Sequence, residues 1–404
     1  MAIESQDVKR AKNWSQGIPR TVWALGFVSM FMDISSEMIH GLLPVFLVSV
    51  LSSSAIFVGL IEGVAEATAL ITKTFSGALS DWLGKRKALV FAGYALATLT
   101  KPLFAMATGV GLVFTARFLD RIGKGVRGAP RDALIADVTH PDFRGAAYGL
   151  RQSLDTVGAF VGPLLAMVLM VATAGDFRSV FWAAVLPGLL AVAILAFTVK
   201  EPDDLSIKPS RQPICIRDIL ELGSPYWMVV AFGSVFTLGR FSEAFLLLRA
   251  ESVGVAASMI PVMLVLMNVV YSLTAYPIGL LSDRLGRTGL LAVGLVVLMT
   301  SDLSLAMART GWQVAAGTAL WGLHMGLTQG LLAAMVADTA HQNLRGTAFG
   351  IFNMASGIAI LVASLIAGWL WDLFGPPATF LAGAAFAAVA LTGYLSLRKH
   401  LSIG

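Results

Sequence analysis

Apolar stretches of roughly twenty residues recur along the whole chain, each long enough to cross about 30 Å of hydrocarbon. Short segments rich in Gly, Pro, Asp, Lys and Arg separate them. The pattern predicts twelve helical spans, near 22–50, 55–80, 88–108, 111–137, 145–172, 178–199, 225–248, 258–282, 289–308, 312–338, 346–371 and 377–397. Basic residues sort by side. Segments leading from an even-numbered span to the next odd one hold Lys85, Arg86, Lys87, Arg144, Lys200, Lys208, Arg211, Arg217, Arg284, Arg287 and Arg345, whereas the opposite loops hold Arg178, Arg249 and Arg309. Positive residues stay inside, which puts both termini in the cytoplasm.

Composition agrees with this pattern. Hydrophobic residues make up 57% of 404 and charged residues 13%, against about 25% charged in a soluble domain. The chain reads as an all-α polytopic membrane protein. Residues 1–21 read as a polar cytoplasmic tail with Lys9, Arg10, Lys12 and Arg20, and not as a cleaved signal. The single Cys215 permits no internal disulfide and builds no metal cluster. The net charge of +5 follows from the inside loops and needs no nucleic-acid partner.

The sequence repeats itself. Gly77-Ala-Leu-Ser-Asp81-Trp-Leu-Gly84-Lys85 returns 202 residues later as Gly279-Leu-Leu-Ser-Asp283-Arg-Leu-Gly286-Arg287. Ala136-Asp137-Val-Thr-His140 through Arg144-Gly145 returns 201 residues later as Ala337-Asp338-Thr-Ala-His341 through Arg345-Gly346. Two parallel six-helix bundles follow, 22–199 and 225–398, joined by a cytoplasmic linker at 200–224.

These segments resemble the major facilitator superfamily over nearly the full chain. GALSDWLGKRK is similar to that family's signature between helices 2 and 3, and GLLSDRLGRTG to its copy between helices 8 and 9. DTVGAFVGPLLA, with Gly158, Gly162 and Pro163, is similar to the helix-5 signature of proton-driven exporters; the second half has Ala359, Ala363 and Ser364 instead. Arg117 resembles the arginine of the helix-4 signature, although Asp120-Arg121 replaces the usual Gln-Gly. The resemblance implies alternating access between two rocking bundles, with helices 1, 4, 7 and 10 lining a central cavity. On their own terms, Gly77 and Gly279 allow close helix approach. Asp81 and Asp283 end helices beside Arg86 and Arg287, where a carboxylate can pair with those bases or with a helix N-terminus and form a conformational latch.

Fifteen acidic or basic side chains, histidines aside, fall inside the predicted spans away from their ends, and twelve of them lie in the first half. Unpaired at mid-membrane they would cost on the order of 40 kcal/mol together, so they must pair or line a wet cavity. Asp33, Glu37 and His40 fall within about 60° on one face of helix 1. Glu62, Glu66 and Lys73 form a stripe on helix 2, and Arg117, Arg121 and Lys124 another on helix 4; the first of these can be a static ion-pair ladder with the second. Arg151 and Asp155 are spaced as an i, i+4 structural pair. Lys101, before Pro102, reads as a snorkelling residue near an outer end, and Asp302 as close enough to its end to be wet.

The reading that follows is a secondary active transporter: a proton-coupled exporter, by antiport, of a small polar or charged solute or drug, in the plasma or inner membrane and monomeric. Asp33, Glu37, Glu62 and Glu66 are the proton carriers. His40, Arg117, Arg121, Arg240, Glu243 and His324 are the substrate-binding candidates. A divalent metal cation or metal chelate held by the helix-1 Asp/Glu/His stripe is the alternative cargo, and a membrane enzyme or non-transporting sensor is the remote alternative. No Walker loop, HExxH or GxSxG is present in the sequence, so ATP use, enzymatic chemistry and a cofactor have no support. Gly123-Lys-Gly125-Val-Arg-Gly128 fits GxGxxG but follows no strand.

Overall fold

The structure is a computed structural model. It describes residues 18–83, 85–140, 143–199, 222–285, 287–340 and 344–397. The N-terminal tail and nearly all of the linker, Cys215 included, lie outside these. So do the surroundings of Gly279 and the side chains of Asp81, Asp283 and Arg287.

The helices, in chain order, are α1 (Arg20–His40, prolonged by Leu43–Val45 and a π-helical Phe46–Val50), α2 (Ala55–Leu83), α3 (Arg86–Met106), α4 (Val110–Val138) and α5 (Arg144–Ala172). Next come α6 (Phe177–Ala183 and Val185–Thr198), α7 (Ser224–Leu238 and Ala244–Ser252), α8 (Pro261–Leu285), α9 (Arg287–Met307), α10 (Gly311–Thr339), α11 (Arg345–Phe374) and α12 (Pro376–Leu397). Among the described residues nine of these are long and apolar enough to cross a membrane. α4 falls short because it carries eight charged residues. The break at Gly239–Glu243 shortens the apolar pieces of α7, and the apolar stretch of α8 counted among the described residues is Pro261–Ala275.

Packing follows the sequence repeat. α1 lies on α5 and α6, α2 and α3 lie on α4, and α3 also touches α6; six helices on, α7 lies on α11 and α12, α8 and α9 lie on α10, and α9 touches α12. α3 and α9 are both 21 residues long, and α4 and α10 both 29, so their positions correspond one to one at a spacing of 201. The ends of α3 and α9 are closed alike: Arg178 donates to the carbonyls of Ala105 and Ala107, and Arg249 to those of Leu305, Ala306 and Ala308. A guanidinium there satisfies carbonyls that a helix end leaves free and complements its dipole.

Among the described residues the repeats meet most extensively through α2 with α11 and α5 with α8, and also where α7 touches α1 and α2. At the end where α2 begins, Asp372 of α11 accepts from the Ala55 and Ile56 backbone N–H groups at 2.9 Å each. One carboxylate from the far repeat thus caps the N-terminus of α2. Ser49 also donates to Glu251 across the same end.

The helix-5 glycines have a packing reason. A Cβ at Gly158 would lie 2.6 Å from the Met30 carbonyl oxygen, and one at Gly162 would lie 2.9 Å from that of Ile34. Only glycine lets α5 come this near to α1 and hold the Asp33–Glu37 face in place.

Candidate functional site

A cavity of ≈ 300 Å³ opens between the two repeats. Glu37 and His40 of α1, Glu66 of α2, and Arg121 and Lys124 of α4 line one side. Arg240, Ser242 and Glu243 from the α7 break, Asn268 of α8, and Trp321 and Gln329 of α10 line the other. Three carboxylates thus face two guanidinium groups, an ammonium and an imidazole around one volume.

Behind this wall runs a charged ladder. His40 sits between two acids, with Nδ1 3.4 Å from Glu37 Oε2 and Nε2 3.7 Å from Glu62 Oε2. Arg117 donates to the same Glu62 oxygen at 2.7 Å, and both partners are fully buried. One turn along, Arg121 meets Glu66 at 3.3 Å, at the edge of the cavity. Deeper in the first half, Lys101 donates to Asp120 at 2.8 Å and to Ser36 at 3.0 Å. The i, i+4 spacing of Glu62 and Glu66 matches that of Arg117 and Arg121, which is why two rungs form between α2 and α4. The chain Glu37–His40–Glu62–Arg117 leads from the cavity surface to a dry interior. An imidazole between two carboxylates can accept a proton from one and hand it to the other.

Three cavity residues are not spent on protein partners. The side chains of Lys124, Arg240 and Glu243 face the cavity with no ion pair or hydrogen bond to another described residue. Their charges are available to a solute, and the broken α7 is what turns Arg240 and Glu243 toward it.

The structure departs from the sequence expectations in several places. Arg117 lies behind the cavity wall, consumed by Glu62. His324 is fully buried, with Nδ1 2.8 Å from the Gly294 carbonyl oxygen and its ring 5.4 Å from Phe236. It packs α10 onto α9 and does not reach the cavity, since facing the bundle centre and facing a neighbouring helix differ by only part of a turn. Asp33 is partly buried and its Cβ packs on the Gly158 position, so it does not line the cavity with Glu37 and His40. The helix-1 stripe therefore does not converge on one point, and among the described residues no group of three His, Cys, Asp or Glu is placed to hold a metal ion. Lys101 does not snorkel, because α3 continues through Pro102 to Met106 and the ammonium turns inward to Asp120. Asp302 is not wet; it is 0% exposed. Arg151 and Asp155 are paired, and Arg151 also lies 3.8 Å from Asp132. Of the latch residues, Gly77 faces Ala129 of α4, and Arg86 bridges to Asp137 at 3.0 Å.

Sequence reasoning also missed residues. Arg127 lies 4.5 Å over the Tyr94 ring, and Arg131 donates to Ser29 at 2.7 Å and to the Tyr94 hydroxyl. The signal was present, since 117, 121, 124, 127 and 131 continue one stripe at i+3 and i+4. Gln329 and Trp321 had no such mark.

Comparisons with known proteins agree with one another. A family model described as Major Facilitator Superfamily matches residues 25–248 and again 228–402. An uncharacterized MFS-type transporter of Methanocaldococcus jannaschii is 32% identical over 396 residues, 96% of this chain and 97% of that protein. The inner membrane transport protein YajR of Escherichia coli is 22% identical over 392 residues, 93% of this chain and 83% of that one. Among solved structures, the nucleoside transporter NupG aligns with a TM-score of 0.80 at 11% identity, covering 93% of this chain and 99% of that chain. A bacterial homolog of the human lysosomal transporter Spinster, inward-facing and occupied, aligns at 0.77 and 14% identity, over 94% and 96%.

Proposed function

The chain belongs to the Major Facilitator Superfamily and is a multi-pass membrane secondary transporter, and we propose that it is a proton-coupled antiporter exporting a small polar or charged solute across the cell membrane. Twelve spans form two bundles, 22–199 and 225–398, with the linker 200–224 and both termini in the cytoplasm. The bundles rock about the central cavity, and the state described here is closed at the end held by Asp372 and Ser49–Glu251.

The observation that carries the proposal is the division of labour around the cavity. Arg240, Lys124 and Glu243 keep free charge for the solute. Glu37 and Glu66 each face the cavity with a basic group attached, His40 and Arg121. A solute that draws Arg121 away from Glu66, or a proton that takes the place of His40 at Glu37, changes the charge on the wall. Each ligand thereby alters the affinity for the other, which is the thermodynamic content of coupling. His40 extends the proton's reach to Glu62, while Arg117 holds Glu62 in register.

The test is transport in proteoliposomes under an imposed pH gradient, with the solute found by comparing what cells with and without the protein retain. Glu37→Gln is expected to bind the solute and exchange it passively while losing gradient-driven accumulation. Arg240→Gln is expected to lower solute affinity by at least tenfold, as removal of one charge-assisted hydrogen bond of about 1.5–3 kcal/mol implies. A Glu37→Gln protein that still follows the pH gradient removes Glu37 from the scheme.

A further inference from the structure

The repeat places an acid in the second half where the first half holds a base. α3 and α9 correspond residue by residue, so Lys101 matches Asp302; α4 and α10 correspond likewise, so Asp120 matches Trp321. In the first half the two side chains close on each other at 2.8 Å, with Ser36 as a third partner. In the second half the same positions carry a carboxyl and an indole, and they share no hydrogen bond. Asp302 is 0% exposed, and neither of its oxygens has a hydrogen-bond partner among the described residues. Trp321 Nε1 and Thr318 Oγ1 are likewise buried and unpartnered.

The surroundings are apolar and closely fitted. A Cβ at Gly383 of α12 would lie 2.7 Å from Asp302 Oδ2 and 2.9 Å from the Phe241 ring, so only glycine leaves room for the carboxyl there. The Phe241 ring, at the α7 break, lies 5.4 Å from Trp321 and 5.5 Å from Phe380. The titratable groups on the elements around it are Tyr226, Arg240, Glu243, Arg249 and Glu251 of α7, Tyr271, Tyr276, Asp283 and Arg284 of α8, His324 and Asp338 of α10, and Tyr394 of α12. A bare carboxylate in such a place has neither a counter-charge nor a donor, and it takes up a proton in preference to staying ionised.

We propose that Asp302 is a proton-binding site of the second half, standing where the first half keeps the fixed Lys101 cation, and that it holds its proton in the conformation described here. The two halves thus solve one problem in two ways. The first carries a permanent ion pair; the second carries an acid whose charge can be switched. Phe241 is the partition between this acid and the cavity, because it lines that cavity and also abuts the Gly383 cradle. Movement of the α7 break shifts Phe241 and with it the adjoining Arg240. That motion gives Asp302 water or a counter-ion and lets the proton leave. The site is independent of the scheme at Glu37 and Glu66.

The test needs neither a solute nor a gradient. Infrared spectra of the full-length protein in lipid, grown with aspartate labelled with carbon-13 at the side-chain carboxyl, are compared for wild type and Asp302→Asn at neutral pH. The expected result is one protonated-carboxyl stretching band that moves with the label and is lost in Asp302→Asn. Loss of a carboxylate band instead, with the protonated-carboxyl region unchanged, overturns the proposal, since Asp302 is then ionised. Should Asp302→Asn fail to fold, Asp302→Glu decides: the band persists but no longer moves with labelled aspartate. A label-sensitive band that survives unaltered in Asp302→Glu belongs to another residue and sinks the assignment.

Discussion

Lys101–Asp120 and Asp302–Trp321 occupy the same places in the two repeats and are built on opposite principles. The first pair is buried, charged and closed, with a 2.8 Å ion pair and a hydroxyl in support. The second is buried and open, with a carboxyl and an indole that lack partners among the described residues. The same contrast extends along the helices. Glu62 and Arg117 meet in the first repeat, where the second has Leu264 and Thr318. In exchange the second repeat stacks Phe241, Phe245, Trp321, Trp371 and Phe380 around the α7 break. A duplicated scaffold tolerates both fillings because helix packing depends on shape and length, which the repeats share. The chemistry inside each bundle is free to diverge. Satisfied buried polar networks rigidify a core, so the first repeat reads as a fixed frame, whereas the second packs aromatic rings around its broken helix.

The sharpest way to break this comparison is to remove one member of the first pair. Asp120→Asn leaves the Lys101 ammonium buried without compensation and is expected to cost about 3–5 kcal/mol, whereas replacing both, as Lys101→Met with Asp120→Leu, should recover most of that loss. Thermal unfolding in detergent reads both. A single variant that melts with the wild type would mean that Lys101 finds water, and the fixed-frame description would fail. Next in size is Asp372→Ala, which removes two 2.9 Å hydrogen bonds from the start of α2 and is expected to cost about 1–2 kcal/mol. The same change opens a contact between the repeats. A solvent-accessible cysteine introduced at Ser53 should therefore label faster in it, and an unchanged labelling rate would show that α2 and α11 hold that end without the cap.

The helices and their repeat were legible in the sequence because hydrophobic runs and duplicated loops are properties of a single strand of residues. The stripes on α2 and α4 and a ladder between them were legible for the same reason, but which acid meets which base, Glu62 with Arg117 and Glu66 with Arg121, comes from the structure. What the sequence withheld was the neighbour. Lys101 stood before a proline and looked like the end of a helix, yet α3 runs on and delivers it to Asp120. His324 sat on a cavity helix, yet its ring turns to the Gly294 carbonyl oxygen. Asp33 shares a helical face with Glu37, yet the close approach of α5 at Gly158 separates their surroundings. Helical periodicity gives an angle on one helix; the rotation and height of the helix opposite come only from packing. Asp302 is the extreme case, since its meaning depends on being matched to Lys101 through two helices of equal length.

A smaller effect tests the other arm. Glu66→Gln removes an ion pair that is only partly buried, so its stability cost is expected below about 1 kcal/mol, although it faces the cavity. A large loss would mean that Glu66 belongs to the frame with Glu62 and is not available to exchange a proton.

Smallest of all is the expected change for Asp302→Asn. If the carboxyl is neutral, the amide that replaces it is also neutral, nearly the same shape, and equally without partners. The substitution then exchanges one unsatisfied polar group for another with a single extra donor, a difference of at most about 1 kcal/mol. If the carboxyl were ionised, the same substitution would delete a buried charge and raise stability by several kcal/mol, as removal of an uncompensated ion does. Melting curves of Asp302→Asn and Asp120→Asn, measured side by side, therefore set the two repeats against each other at matched positions. A near-silent change in the second repeat beside a severe one in the first is the signature of a protonated acid standing where a salt bridge would otherwise be.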